Sequence, residues 1–184
     1  MIQMGQILEV SRGQGLSLTF IEVSFVFGWG SEAARVGMLG VFLLSNLLHM
    51  KTKHFLESAD VKAIAAAAEA EALKNNWAVT IAIVDDGGHL LNLHRLDGAP
   101  AISSHIAPAK AHTAALGRRE SKIYEDVING GRVSFVTAPT VQGMLEGGVP
   151  IMKDGQCIGA VGVSGVKSNE DAQIAKAGIA AIGL

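Results

Sequence analysis

Four histidines, His89, His94, His105 and His112, fall within 24 residues of one another. An imidazole can ligate a metal, meet haem iron or move a proton near neutral pH. Spacing limits what these four can do together. His89 and His94 are five apart on a predicted strand, where side chains alternate, so they face opposite sides. His105 and His112 are seven apart, but Pro108 lies between them and disfavours one continuous helix. The pattern argues against a preformed tetrahedral zinc site. It leaves single-imidazole chemistry, such as axial ligation of haem iron, where one protein ligand can suffice. For each histidine alone, a surface or turn position is the plainer reading.

Other groups stand beside them. Asp85-Asp86 is an acidic turn, but two carboxylates are too few oxygens for a hard cation. Lys110 and Thr113 are three apart and share one helical face, so Lys110 could meet a carboxylate or propionate. Arg95 offers a second such cation. Gly147-Gly148-x-Pro150 exposes backbone N–H groups and could border a pocket. Arg118-Arg119-Glu120 fits a solvated helix end with local ion pairs. Cys157 sits mid-strand among apolar neighbours and reads as a buried thiol rather than a nucleophile. No phosphate-binding Gly-x-x-x-x-Gly-Lys-Ser/Thr motif occurs. Gly162-Val163-Ser164-Gly165 does not form a nucleophile elbow.

The elements that must carry these residues follow from periodicity. Apolar residues at Val61, Ile64, Ala65, Ala68 and Ala72 predict a helix from Ser58 to about Lys74, with Ser58 as its cap. Ala78–Asp85 and His89–Leu96 read as a hairpin around Asp86-Gly87-Gly88. Along its second strand, strict alternation puts His89, Leu91, Leu93 and Arg95 on one face. Pro108 fits the first turn of a helix ending near Gly117, with Ile102–Ala107 as a separate preceding turn. Ser121–Ile128 is a further helix, and Val133–Thr137 is short and β-prone. Val149–Lys153 and Gln156–Val163 form a second hairpin about Asp154-Gly155. Ser168-Asn169-Glu170-Asp171 has the form of a loose capping box for a last helix reaching about Ile182. The order predicts an α+β sandwich, an antiparallel sheet of about five strands with helices packed against it.

Composition narrows the class. The chain has 184 residues, 17% charged and 5% aromatic, with a net charge of −2. It is too apolar to be disordered and lacks the basic excess of a nonspecific nucleic-acid binder, so no nucleic-acid partner is expected. One cysteine excludes an internal disulfide framework. Few aromatics require a core of Val, Ile, Leu and Ala.

Charge is uneven along the chain. Residues 1–49 hold 2 of the 15 basic and 3 of the 17 acidic residues. Their two apolar stretches, Leu16–Trp29 and Val36–Leu48, fall short of the 18 or more uninterrupted residues of a membrane helix. No small-x-small cleavage site follows the second. The expectation is that residues 1–49 are an upstream extension from an early start codon, outside the fold. Residues 50–184 then form a single cytoplasmic domain with no membrane partner.

From Met50 onward the chain resembles the GlcG/HbpS family, which includes the C-terminal domain of PduO-type proteins. The likeness is carried by Met50-Lys51-Thr52-Lys53, Val84-Asp85-Asp86-Gly87-Gly88-His89 and Lys110-Ala111-x-Thr113-Ala114-Ala115-Leu116-Gly117-Arg118-Arg119-Glu120. Glu146-Gly147-Gly148-Val149-Pro150, Asp154-Gly155, Gly159–Gly165 and Asp171-Ala172-Gln173-x-Ala175-Lys176-Ala177 complete it. It covers essentially all of 50–184 and is greatest to the GlcG branch, whose members sit in glycolate-type catabolic operons.

The resemblance implies a profilin-like fold, assembly into homo-oligomers and, in some members, haem binding. It nominates His89 and Thr113 as haem-iron ligands. The expected role is therefore a small-ligand-binding protein whose ligand is haem or a related tetrapyrrole, with Arg95, Lys110, Gly147, Gly148 and Pro150 around it. Two alternatives stand beside it. One is an enzyme acting on a small 2-hydroxy or 2-oxo acid, with Lys110 or Arg95 holding the carboxylate and His89 as acid or base. The other is an oligomeric accessory protein without a ligand of its own.

Overall fold

The structure is a computed structural model that describes residues 52–140 and 142–184. The expectation for residues 1–49 lies outside the described residues.

The first helix, α1, spans Ser58–Lys74. Its cap lies one residue before the expected one. The Glu57 N–H donates to Asp60 Oδ2 at 2.9 Å, while Ser58 is already helical. Val61, Ile64, Ala68 and Ala72 are buried, which is the stripe the 3.6-residue period requires. The chain turns at Asn75 and Asn76, and Asn76 adopts φ 58°.

Two hairpins follow the expected pattern and share one sheet. Strands β1 (Thr80–Asp85) and β2 (Leu90–Arg95) form the first. Strands β3 (Gly148–Lys153) and β4 (Gln156–Ser164) form the second. The sheet order is β2-β1-β4-β3, with every pair antiparallel. The apolar run of β1 is buried almost throughout, as a central strand must be. Strand β2 is an edge among the described residues, and most of it is exposed.

Four strands pair among the described residues, where about five were expected. Val133–Thr137 forms a 3-10 turn instead of a strand. Its Val133 and Val136 remain exposed, so β propensity there meets no partner to pack against.

Alternation divides the sheet into two faces. Ile81, Ile83, Val161 and Val163 face a large core shared with α1 and with α4 (Ser168–Ala180). Val84 and Ala160 face the opposite side, against α2 (Ser103–Gly117). That second face is built from small residues for a geometric reason. A Cβ on Gly162 would sit 2.2 Å from the Ala107 carbonyl oxygen and 2.5 Å from Ala111 N. The α2 backbone therefore lies directly on the sheet.

Helix α2 runs unbroken through Pro108, so the expected break there does not occur. The proline removes one early amide bond, and burial of Ala107, Ala111 and Ala114 holds the rest in line. Arg118 closes the helix in a left-handed conformation, φ 52°. Helix α3 (Lys122–Asn129) follows.

Two local registers also differ from expectation. A bulge between Ile83 and Val84 sets Val84 opposite Leu90 and Ile83 opposite Asn92. Leu90 thus joins Leu93 and Arg95 on the α2 side, which strict alternation would have denied it. At α4 the capping acid is Glu170, which accepts from Lys167 N–H at 3.2 Å. Asp171, read from the sequence as the capping acid, turns inward instead.

Candidate functional site

The β1–β2 turn is organised by one carboxylate. Asp85 Oδ1 accepts the backbone N–H groups of Gly87 and His89, each at 2.8 Å. The His89 Nδ1 lies 3.1 Å from both Asp85 oxygens. Burial alone would raise the Asp85 carboxyl, but donation from His89 and Gly87 outweighs it and holds the group below its ordinary value. An ionised carboxylate only accepts, so the Nδ1 facing it is the donor, and Nε2 is the ring nitrogen outside the pair. The His89 side chain is 81% exposed. Histidines that ligate metals commonly have this arrangement, with the second nitrogen held by a carboxylate.

Helix α2 meets this turn at His112. Gly88 has φ +81°, and a Cβ there would fall 2.3 Å from His112 Cδ2. The His112 ring therefore lies against the Gly88 backbone, next in sequence to His89. Lys53 pairs with Asp86 on the other side of the turn. Cys157 donates to the Gly159 carbonyl at 3.3 Å, and burial pushes its thiol pKa up. Its side chain is half-buried, less enclosed than its strand position implied.

Lys110 and the two glycines form a second polar centre, which faces inward. Lys110 Nζ donates to Asp171 Oδ2 at 2.7 Å and to the Val163 carbonyl at 3.0 Å. Asp171 also accepts Val166 N–H at 3.2 Å. Burial raises the Asp171 carboxyl in spite of donation from Lys110. A Cβ on Gly147 would lie 2.8 Å from Lys110 Nζ, and one on Gly148 would lie 2.2 Å from the Lys110 carbonyl oxygen. Gly148 N–H donates to Ser121 Oγ at 2.8 Å. These residues fasten β3 and α4 to α2. With its charge matched by Asp171 inside the fold, Lys110 does not reach an outer carboxylate here.

The remaining candidates separate. Thr113 is fully buried, and its Oγ1 has no hydrogen-bond partner among the described residues. It is about 100° around α2 from His112, on the flank of Lys110, away from the Gly88 contact. Pro150 is half-buried in β3 opposite Ala160. Arg95 is exposed at the end of β2. The structure thus brings His89 together with Asp85, and Gly88 with His112, but does not join His89 to Lys110 or Gly147. Sequence reasoning missed Asp171, because its partner lies 61 residues away and no spacing rule connects them. No group of three or more metal-ligating side chains occurs among the described residues. None of their helices is long and apolar enough to cross a membrane.

The family model for "Haem degrading protein HbpS-like" matches residues 56–180. The chain belongs to the HbpS-like family. Protein GlcG of Escherichia coli strain K12 is 58% identical over 115 residues, covering 62% of this chain and 85% of that protein. The crystal structure of Klebsiella pneumoniae ORFY superposes with TM-score 0.68 at 28% identity, covering 73% of this chain and 95% of that one. A structure solved as a PduOC:haem complex superposes with TM-score 0.64 at 30% identity, covering 70% and 95%. HbpS-like relatives thus share this α+β sandwich, and one of them is described with haem.

Proposed function

We propose that this HbpS-like chain binds haem, with the iron met by His89. The observation that carries the reading is the Asp85–His89 pair, which leaves an exposed imidazole nitrogen held in one orientation. Exposed Leu90, Leu91 and Leu93 follow it along the edge strand and supply the apolar surface a macrocycle needs. The haem-bound relative and the family description support the same ligand. These residues fit haem, whereas Thr113 does not, because its hydroxyl is enclosed. When bound, haem supplies a redox-active iron. The chain's own part is to orient one ligand nitrogen and shield one side of the ring.

The same leucines, on the strand that ends the sheet among the described residues, favour association between copies of this chain. The high identity to GlcG supports a role alongside glycolate-type catabolism. The test is haem titration followed in the Soret region. Wild type and Thr113→Ala should give saturable, matching spectra, and His89→Ala should lose or shift the band. An unchanged spectrum in His89→Ala would reassign the iron ligand. Absence of any stoichiometric change in wild type would remove haem.

A further inference from the structure

The turn that carries His89 is gripped from both faces of the sheet. On the α1 side, Lys53 pairs with Asp86. Asp85 stands opposite Gly159 on that side, and a Cβ on Gly159 would lie 2.6 Å from Leu56 Cδ1. The segment before α1 therefore covers one face of the turn. On the α2 side stands His112. A Cβ on Gly88 would lie 3.0 Å from His112 Nε2 and 3.1 Å from its Cγ, so the ring fills the space that glycine leaves open. Gly88 sits at φ +81°, a conformation that glycine adopts without steric cost.

His112 is a firm stop for that backbone. Its ring is half-buried. Its neighbour Ala111 has an amide nitrogen 2.5 Å from where a Cβ on Gly162 would be, so this stretch of α2 is seated directly on β4. A ring mounted on such a helix does not follow the turn when the turn swings. The peptide entering His89 is thus confined from one side by packing that originates in α2. His89 itself gains little from packing, because its side chain is 81% exposed. Its direction depends on Asp85, which holds the ring, and on how firmly its own backbone is held.

We propose that His112 is a positioning residue for His89: it fixes the Gly88 backbone so that the His89 ring keeps the orientation Asp85 selects. The inference rests on the reading of His89 as the iron ligand. Groups that orient a metal ligand typically cost 10–100-fold in affinity when removed, and a contact through backbone belongs at about the lower end of that range.

The test uses the full chain in four forms: wild type, His112→Ala, His112→Phe and His105→Ala. Phenylalanine keeps a ring against Gly88 but carries no nitrogen. His105 is exposed on the same helix two turns earlier and serves as a control. Without haem, NMR of the histidine ring nitrogens reads the Asp85–His89 pair. In His112→Ala the His89 signals should move toward those of an Asp85→Asn variant, and His112→Phe and His105→Ala should retain the wild-type signals. With haem, His112→Ala should bind about tenfold more weakly and with a shifted Soret band, while His112→Phe and His105→Ala match wild type. Circular dichroism should stay native throughout. Unchanged His89 signals in His112→Ala would overturn the proposal, as would a haem affinity equal to wild type in His112→Ala when His89→Ala has lost it. So would a loss that His112→Phe does not restore, since the contact is one of shape. Failure of wild type to take up haem would overturn the haem assignment alone, because the NMR comparison judges the positioning of His89 without it.

Discussion

Lys110 and Asp171 meet at 2.7 Å inside the protein, with side chains only 4% and 2% exposed. The lysine comes from the helix on one face of the sheet and the aspartate from a helix on the other. The pair therefore ties the two outer layers together around the end of β4, where the Val163 carbonyl accepts from the same ammonium. Removing Asp171 alone leaves a buried cation without a partner. Asp171→Ala should cost about 3–5 kcal/mol in urea unfolding, whereas Lys110→Met with Asp171→Leu should recover most of that loss. Equal losses in the single and double variants would contradict this.

The Asp85–His89 pair makes stability depend on acid. The folded Asp85 carboxyl lies below its ordinary value, so it stabilises the fold above the ordinary carboxylate range. That contribution disappears as pH falls through the folded value. Melting temperatures of wild type and Asp85→Asn should therefore differ at neutral pH and converge in acid. A constant difference across the range would show that the carboxylate charge is not what organises the turn.

Gly88 offers a probe of the contact with α2. Alanine there meets both an unfavourable φ and the His112 ring, so Gly88→Ala should cost about 1–3 kcal/mol. Adding His112→Ala should relieve the collision but keep the backbone strain. The difference between the two unfolding midpoints separates the terms.

Gly162 is restricted by space alone. Gly162→Ala should lower stability by about 3 kcal/mol, since the obstruction is α2 backbone and no side chain can rotate away. Gly155 has nothing among the described residues within 4 Å of its missing Cβ, though its φ is +75°. Gly155→Ala should therefore cost clearly less in the same thermal melt.

The leucine edge is open to direct test by native mass spectrometry. Leu93→Lys places a charge on β2 without disturbing the buried core. It should shift any multimer toward monomer, with the fold retained by circular dichroism. An unchanged subunit count would place the contacts between copies elsewhere.

Much of the architecture was legible in the residues. The stripe from Val61 to Ala72, the Gly87-Gly88 and Asp154-Gly155 turns and the buried run of β1 each follow from local period or turn chemistry. These signals act over a few residues, so the sequence exposes them directly. The β-prone Val133–Thr137 misled because propensity is realised only against a partner strand. The expected break at Pro108 failed for a related reason, since burial of the alanines on α2 outweighs one missing amide bond.

The candidate site divides along the same line. His89 and its Asp85 partner are four residues apart, and the turn between them fixes their meeting. Sequence alone could therefore mark that turn, and motif likeness could name its family. The fates of Lys110, Thr113 and Arg95 depended on which layer, flank and register each occupied. The Ile83/Val84 bulge changed which leucines share a face with Arg95, and Asp171 closed on Lys110 from 61 residues away. Local spacing determines turns and helices because their partners are near neighbours. Which polar group is buried, paired or left open depends on contacts between distant segments, and only the packed layers decide those.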